Sequence, residues 1–196
     1  MIKRCEWGNY NKLMQEYHDK EWGVPIHNDR NLFEFLILEG VQAGLSWNTI
    51  LQKREHYRYV FDDFDYKKIS QYNQQKLVEL MNDDGIIRNK LKINAAASNA
   101  KAFLKIQKEY GTFNNFIWKF VNYKPIIHKF EMLSEIPSQT KNSEAMSKEL
   151  KKKGFKFVGP TICYAFMQAV GMVNDHIMTC FRYNEINNNQ NELLTR

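Results

Sequence analysis

The sequence predicts an all-α protein. Apolar residues recur at helical spacing along most of the chain, no alternating run indicates a β-hairpin, and no internal repeat is present. The 196 residues are 43% hydrophobic with only 9 Gly and 4 Pro, which excludes collagen-like, low-complexity and wholly disordered chains. A chain of this length can bury one sizeable core.

The predicted helices follow one another with short connections. Asn28 and Asp29 can cap a buried helix that carries the apolar run 32–38, and Ser46 can cap the next helix, so a tight bend falls at 40–45. The other segments with helical periodicity are 74–81, 89–110, 113–121, 143–152 and 160–170. Between them, 125–137 is an irregular connection of a length that often carries function.

Charge and hydropathy restrict where the chain acts. The net charge of +6 attracts polyanions, although a merely basic globular protein would have the same charge. No apolar run reaches the roughly 18 residues of a membrane helix, and residues 1–9 lack the apolar core of a signal peptide. We therefore expect a cytoplasmic protein without a membrane partner. The Asn-rich tail 184–196 is expected to bury nothing and to fray.

Cysteine and histidine residues near both ends of the chain form the first candidate site. His176 and Cys180 are four residues apart and share a face on a helical turn, and Cys5 and His18 would complete a tetrahedral Zn²⁺ site. Four protein ligands leave no position for water, so such a zinc would be structural. The spacing alone leaves open that Cys5 is a free surface thiol and that the histidines are ordinary polar residues. Asp175 could orient a ligand, although helix capping is the commoner role for such a residue.

A lysine-rich hairpin between two predicted helices forms the second candidate site. Its glycines allow close backbone approach, the following helix start offers N–H groups to a phosphate, and the lysines add positive charge. This pattern predicts a helix-hairpin-helix clamp on DNA that does not read sequence, spanning about 143–171. The alternative is a solvated lysine run that ends a helix. The apolar Phe155, Phe157 and Val158 between the glycines favour the clamp, because they would anchor a rigid hairpin. The predicted DNA contacts in this segment are Lys152, Gly154, Lys156, Gly159 and Thr161.

An acid among aromatic residues forms the third candidate site. Glu39 lies in an otherwise apolar helix, and Trp7, Tyr17 and Trp47 belong to the same N-terminal segment. A buried carboxylate must pair, accept hydrogen bonds or serve a ligand, because an unpaired buried charge is costly. The pattern alone favours the alternative, in which Glu39 faces water while the aromatic residues fill the core.

Several motifs occur together, in one order, from residue 1 to about 183. With these motifs the chain resembles the bacterial type I 3-methyladenine DNA glycosylases. The motifs are Cys5-Glu6-Trp7, Tyr17-His18-Asp19, Glu21-Trp22-Gly23-Val24-Pro25, the run from Leu38 to Trp47, the run from Gly154 to Gly159, and Val173-Asn174-Asp175-His176.

The resemblance implies one helix-hairpin-helix glycosylase domain over 1–183 that acts as a monomer on double-stranded DNA containing alkylated adenine. It implies that Glu39 hydrogen-bonds the flipped base, Trp47 stacks on it, and Tyr17 and Trp7 complete the pocket. It also assigns Gly44 and Leu45 to a wedge in the duplex, and Cys5, His18, His176 and Cys180 to one structural Zn²⁺.

Two positions differ from the residues that related glycosylases carry there. Met14 stands where members of the family carry a tyrosine that lines the pocket, which leaves selectivity among methylated purines open. Asn174 occupies the place of the catalytic Asp of the wider helix-hairpin-helix superfamily, and type I enzymes as a class work without that Asp.

The implied reaction needs few groups, because methylation at N3 makes adenine a cation and a good leaving group. No lysine is placed as a covalent nucleophile, so we expect a monofunctional hydrolase that leaves an abasic site in an intact strand. Two alternatives remain at this point. One is a non-catalytic, zinc-stapled DNA-binding module, and the other is a small-molecule enzyme in which Glu39 is the acid–base group.

Overall fold

A computed structural model describes residues 2–194, with side chains as far as residue 188. The described chain is mostly helical, as predicted. Its α-helices are α1 Lys12–Lys20, α2 Asp29–Gln42, α3 Trp47–Val60, α4 Tyr66–Ile69, α5 Gln74–Asn82, α6 Lys90–Tyr110, α7 Phe113–Trp118, α8 Lys141–Lys152, α9 Pro160–Ala169 and α10 Phe181–Leu194. Short 3₁₀ turns occupy Glu6–Asn9, Asp62–Phe64, Lys119–Val121 and Leu133–Glu135.

The predicted helix starts are confirmed by their caps. The Asn28 side chain accepts from the backbone N–H groups of Arg30 and Asn31 at the start of α2. The Ser46 hydroxyl accepts from the N–H of Thr49 at the start of α3. Each cap satisfies N–H groups that have no partner within the helix.

Several short elements were not predicted, among them helix α1 and a pair of two-residue strands. Helix α1 begins at an Asn11 cap, whose side chain accepts from the N–H of Met14. A two-residue strand β1, Ile126–Ile127, pairs in parallel with β2, Val173–Asn174. Two residues are too few for a period of two to show in a sequence, so this pairing has no sequence signal.

Helix α2 is the central element of the core, and it contacts α3, α6, α7 and α9. Every residue from Leu32 to Val41 is buried, including Glu34 and Glu39. A helix buried on all sides reads as a continuous apolar run rather than as an amphipathic stripe. The last turn of α2 therefore carries Glu39 into the interior.

Helices α8 and α9 are joined by a loop at 153–159 that forms a hairpin. Phe155 and Val158 are buried, as expected for side chains that anchor this loop. Gly154 and Phe157 both have positive φ, +92° and +54°, a conformation that is costly for phenylalanine. The Ser147 hydroxyl donates to the carbonyl of Val158 at 2.6 Å, which fixes the far side of the loop.

The C-terminal segment differs from the expectation of a frayed tail. Helix α10 extends through most of it, and Ile186 is only 2% exposed, so this segment does bury an apolar side chain. The Asn174 amide donates to the carbonyl of Tyr183 and to the side chain of Asn187, which ties α10 to β2. Residues 195 and 196 lie outside the described residues. Within 2–194, every helix is too short or too polar to cross a bilayer.

Candidate functional site

A pocket of about 450 Å³ opens where α1, α2, α3 and α9 meet. The predicted residues Glu39, Trp7, Tyr17 and Trp47 all line it, although they come from four different elements. The complete lining consists of Trp7, Met14, Tyr17, Trp22, Glu39, Gln42, Trp47, Leu133, Ile136, Ala165 and Gln168. The pocket is thus largely apolar with a few polar groups, the usual composition of a site for a small planar ligand.

The aromatic side chains of the pocket pack against one another. The ring centroids of Tyr17 and Trp47 lie 5.4 Å apart at 50°, and those of Trp7 and Trp22 lie 5.0 Å apart and nearly perpendicular. Trp7 also contacts the ring of Tyr17, at 6.2 Å. Tilted and edge-to-face arrangements hold large rings rigidly. The walls are therefore in place before any ligand enters.

Glu39 is the acidic group of the pocket. Its side chain is only 4% exposed, which contradicts the alternative in which it faces water. Burial raises the pKa of Glu39 to about 8, because the low-dielectric interior disfavours a charge. Burial also raises the pKa of Tyr17, and the nearby charge of Glu39 adds to that effect. Glu39 therefore holds a proton near neutral pH unless a positive charge approaches it.

Several pocket residues were not singled out in the sequence. Leu133 and Ile136 come from the irregular connection 125–137, whose length was the only signal of a function. Ala165 and Gln168 come from the apolar helix α9, where one glutamine near the helix end is not by itself a signal of function. These residues complete the lining of the pocket.

The four predicted metal ligands form one buried cluster. The ligand atoms of Cys5, His18, His176 and Cys180 all lie within 4.8 Å of one another, and the structure joins both ends of the chain there. The Cys180 sulfur lies 3.5 Å from His18 Nε2 and 3.5 Å from His176 Nδ1, and the Cys5 sulfur lies 3.6 Å from His176 Nδ1. Tetrahedral Zn²⁺ with ordinary bond lengths separates its sulfur and nitrogen ligands by about 3.5 Å. The cluster therefore has the dimensions of a zinc site.

Each histidine of the cluster is oriented through its other ring nitrogen. His18 Nδ1 lies 2.8 Å from the Asp19 carboxylate, which Arg4 holds from the other side. His176 Nε2 lies 3.1 Å from the carbonyl oxygen of Trp22. Such partners fix the tautomer that presents a lone pair to a metal. A hydrogen bond from Cys5 lowers the pKa of the Cys180 thiol, and both histidines add to the shift.

Asp175 has a different role from the one considered in the sequence. It does not orient His176. Its carboxylate instead accepts from His128, Tyr164 and Gln168. Gly8 packs closely against a histidine of the cluster, because a Cβ atom at Gly8 would stand 2.7 Å from Cγ of His18.

The predicted wedge lies at the end of α2. Gly44 has a φ of +84° and nothing within 4 Å of where its Cβ would be, and Leu45 is 37% exposed. Lys92 of α6, which the sequence analysis did not single out, donates to the carbonyls of Val41 and Ala43 at 2.7 Å each. Because these carbonyls have no partner within α2, the lysine fixes the helix end that precedes Leu45.

The hairpin presents some of its predicted DNA contacts freely and pairs others. Lys156 is exposed, and among the described residues no ion pair involves it. Lys152 instead lies 2.7 Å from Glu149, a surface pair of little energetic value that a phosphate can displace. Gly159 and Thr161 lie at the start of α9, with Pro160 in its first turn.

Asn99 of α6 fixes the backbone of Lys156. The Asn99 amide donates to the Lys156 carbonyl at 3.0 Å and accepts from the Lys156 N–H at 2.8 Å. Asn99 is only 3% exposed, so this pair of hydrogen bonds is shielded from water. Helix α6 therefore holds both the hairpin, through Asn99, and the end of α2, through Lys92.

The chain is similar in sequence to proteins of known activity. The family model described as "Methyladenine glycosylase" matches residues 7–183. DNA-3-methyladenine glycosylase 1 of Escherichia coli K12 is 49% identical over 182 residues, which cover 93% of this chain and 97% of that protein. DNA-3-methyladenine glycosylase of Haemophilus influenzae is 47% identical over 180 residues, covering 92% of this chain and 97% of that protein.

Solved structures share the fold. A crystal structure of 3-methyladenine DNA glycosylase I (TAG) matches with a TM-score of 0.89 at 49% identity, covering 91% of this chain and 98% of that one. The Staphylococcus aureus enzyme, whose structure describes 3-methyladenine recognition, matches with a TM-score of 0.89 at 36% identity, covering 92% and 96%. A family model that spans most of the chain, near-complete coverage of relatives and the matching fold lead to one conclusion. The chain belongs to the methyladenine glycosylase family.

Proposed function

We propose that this protein is a monofunctional DNA glycosylase that releases 3-methyladenine from alkylated double-stranded DNA and leaves an abasic site. The observation that carries the proposal is the burial of Glu39 against the aromatic walls of a preformed pocket. The substrate is inferred from the names of the relatives. The aromatic, acidic lining of the pocket explains why a methylated, positively charged purine would bind there.

The damaged base must leave the duplex to reach Glu39. Extrusion costs a few kcal/mol, and less when the base is damaged. The exposed Leu45 beside Gly44 is suited to fill the space that the base vacates. The apolar pocket then surrounds the base, and Trp47 offers an indole face that attracts a cation by about 1–2 kcal/mol where water is excluded.

Selectivity arises from charge. In the free protein Glu39 is protonated near neutral pH, because burial raises its pKa to about 8. A cationic purine favours the ionised carboxylate, and the resulting pair of opposite charges is strong in a dry pocket. Neutral adenine gives no such compensation, so Glu39 keeps its proton. Neutral adenine is also a poor leaving group, so cleavage of its glycosidic bond is slow even when it enters the pocket.

The chemical step demands little from the protein. The glycosidic bond of a cationic base breaks without a strong general acid, and water then attacks the sugar cation. None of the residues that line the described pocket is a lysine, so no amine is in place to form a Schiff base with the sugar. The strand therefore stays intact.

The DNA backbone is expected to lie across the hairpin and the wedge. The α8–α9 hairpin, interpreted as a helix-hairpin-helix motif, would bind a phosphate with the N–H groups at the start of α9 near Gly159 and Thr161. Lys156 and Lys152 would add charge that binds any sequence equally. A single chain contains the whole pocket, so we propose that it acts as a monomer.

Zinc is proposed for the cysteine–histidine cluster. Cys5, His18, His176 and Cys180 would hold one Zn²⁺, which would link the N-terminal segment to the start of α10. Because four protein ligands complete the tetrahedron, the ion would stabilise the fold and take no part in base release. Trp7 and Tyr17 lie close in sequence to the ligands Cys5 and His18, so the same link positions two walls of the pocket.

Incubation with methylated duplex DNA tests the proposal. Chromatography should detect free 3-methyladenine, and the product strand should break only after treatment that cleaves abasic sites. A covalent enzyme–DNA adduct trapped by borohydride would contradict the monofunctional mechanism. Release of no base at all would leave the non-catalytic DNA-binding module as the better interpretation.

A further inference from the structure

Gln168 is a polar residue of the pocket whose amide orientation the structure fixes. It lies on α9 and lines the pocket together with Glu39. Its Nε2 atom donates to Oδ2 of Asp175 at 2.8 Å. Neither residue has a role in the mechanism described so far.

The orientation of the amide follows from the hydrogen bonds of Asp175. This carboxyl group is 1% exposed, and the same Oδ2 atom also accepts from the Tyr164 hydroxyl at 2.6 Å. His128 Nδ1 lies 2.6 Å from the other oxygen. The Tyr164 hydroxyl donates to this Oδ2 atom, so the atom is a hydrogen-bond acceptor and the NH₂ end of the Gln168 amide faces it. The amide oxygen of Gln168 is thereby left as the atom that the side chain can offer to the pocket.

We propose that Gln168 is a specificity-determining residue, which presents a fixed hydrogen-bond acceptor to the base and selects a purine with an amino group at C6 over one with an oxo group. The inference rests on the proposed function, because it takes the pocket to be the base site. It deepens that function by assigning the choice between 6-amino and 6-oxo purines to one residue of the pocket.

The chemistry of the two bases separates them at this atom. Adenine derivatives carry an exocyclic NH₂ donor at C6, whereas guanine and hypoxanthine derivatives carry a carbonyl acceptor there. A carbonyl placed against the Gln168 oxygen would leave two acceptors facing each other without a proton between them. Because the pocket walls are mostly apolar, no water is in place to donate a hydrogen bond to either acceptor. Asp175 prevents the amide from rotating to present its NH₂ group instead.

The test compares Gln168→Met with Gln107→Met. Methionine keeps the length of the side chain and removes the acceptor. Gln107 of α6 also donates its amide to an aspartate, Asp29 at 2.6 Å, but it lies outside the pocket, so it is the matched control. Each protein is incubated with the same methylated duplex DNA, and released 3-methyladenine and 3-methylguanine are quantified together. We expect Gln168→Met to lower the ratio of the two bases at least tenfold, about 1.4 kcal/mol of discrimination. Gln107→Met should stay within about twofold of wild type.

A second measurement uses the unaltered protein and therefore does not depend on the folding of a variant. Quenching of tryptophan fluorescence should show free 3-methyladenine binding at least tenfold more tightly than 3-methylhypoxanthine, which has the same shape and a 6-oxo group. Equal affinities, or an unchanged release ratio in a folded Gln168→Met protein, would overturn the inference. If wild type released no base from DNA, the proposed function would fail instead, so the two failures are distinguishable.

Discussion

Gly40 packs directly against Phe157, so that the end of helix α2 meets the α8–α9 hairpin without a side chain between them. A Cβ atom at Gly40 would lie 3.2 Å from Cβ of Phe157 and 3.3 Å from its carbonyl oxygen. The preceding residue, Glu39, lines the pocket, and the neighbouring Lys156 lies on the exposed hairpin. This backbone packing therefore fixes the distance between the pocket and Lys156, the candidate phosphate contact.

Enlarging Gly40 should uncouple DNA binding from base binding. We expect Gly40→Val to weaken binding of an abasic-site duplex about tenfold, because the hairpin must move to make room for the side chain. Gly40→Ala needs a shift of only a few tenths of an ångström and should have a smaller effect. Fluorescence anisotropy with labelled duplex measures both, and binding of free 3-methyladenine is the control. Loss of free-base binding alone, with DNA affinity unchanged, would show that Gly40 does not position the hairpin.

Charge removal on the hairpin should change the salt dependence of DNA binding. Lys156→Gln should flatten the plot of log K against log salt by about one unit and weaken binding to any sequence equally. Lys67→Gln, at an exposed position on α4, is the matched control and should leave the slope unchanged. A slope for Lys156→Gln equal to that of wild type would remove this residue from the interface.

Removing one ligand of the cysteine–histidine cluster should release the metal and destabilise the fold together. We expect Cys180→Ala to lose zinc, measured by elemental analysis per mole of protein, and to unfold at a clearly lower temperature. Cys163→Ala is the matched control, because Cys163 is equally buried but lies outside the cluster. It should keep its zinc and lose only packing energy. Full zinc content in Cys180→Ala would contradict the ligand assignment.

The raised pKa of Glu39 predicts a pH-dependent contribution to stability. The unfolded chain loses this proton near pH 4.5, but the folded protein keeps it until about pH 8. The contribution of Glu39 to the free energy of unfolding therefore falls as pH rises through that window, and levels off above it. Glutamine cannot ionise, so Glu39→Gln should gain stability relative to wild type between pH 5 and 8, on the order of a few kcal/mol. Thermal melts across this range measure the difference, and parallel curves for the two proteins would refute the shift.

The sequence allowed much of the fold to be predicted, because the signals were local. Asn28 and Ser46 mark helix starts through hydrogen bonds that span only two or three residues. The run 32–38 indicated a buried helix, and Phe155 and Val158 indicated an anchored hairpin. The pairing of Ile126 with Val173 could not be predicted, since it depends on two distant segments meeting over two residues.

The site was predictable where residue chemistry is distinctive and less so where it is not. Cys5, His18, His176 and Cys180 are few and have well-known chemistry, and the structure brings them together. Leu133 and Ile136 reach the pocket only through the path of an irregular connection. The role of Gln168 depends on its hydrogen bond to Asp175. The role of Lys92 depends on its hydrogen bonds to the end of α2. Such roles are set by tertiary contacts that no local pattern encodes.

The central claim is that a buried carboxyl group in an aromatic pocket selects a cationic purine for release. The most direct test is chromatography of the bases released from methylated duplex DNA by wild-type protein and by Glu39→Gln, with zinc content and helicity as controls. We predict that wild type releases 3-methyladenine while leaving unmodified adenine in place, and that Glu39→Gln releases it about 100-fold more slowly, the usual loss when one charge-stabilising group is removed. Release by Glu39→Gln at the wild-type rate would contradict the account.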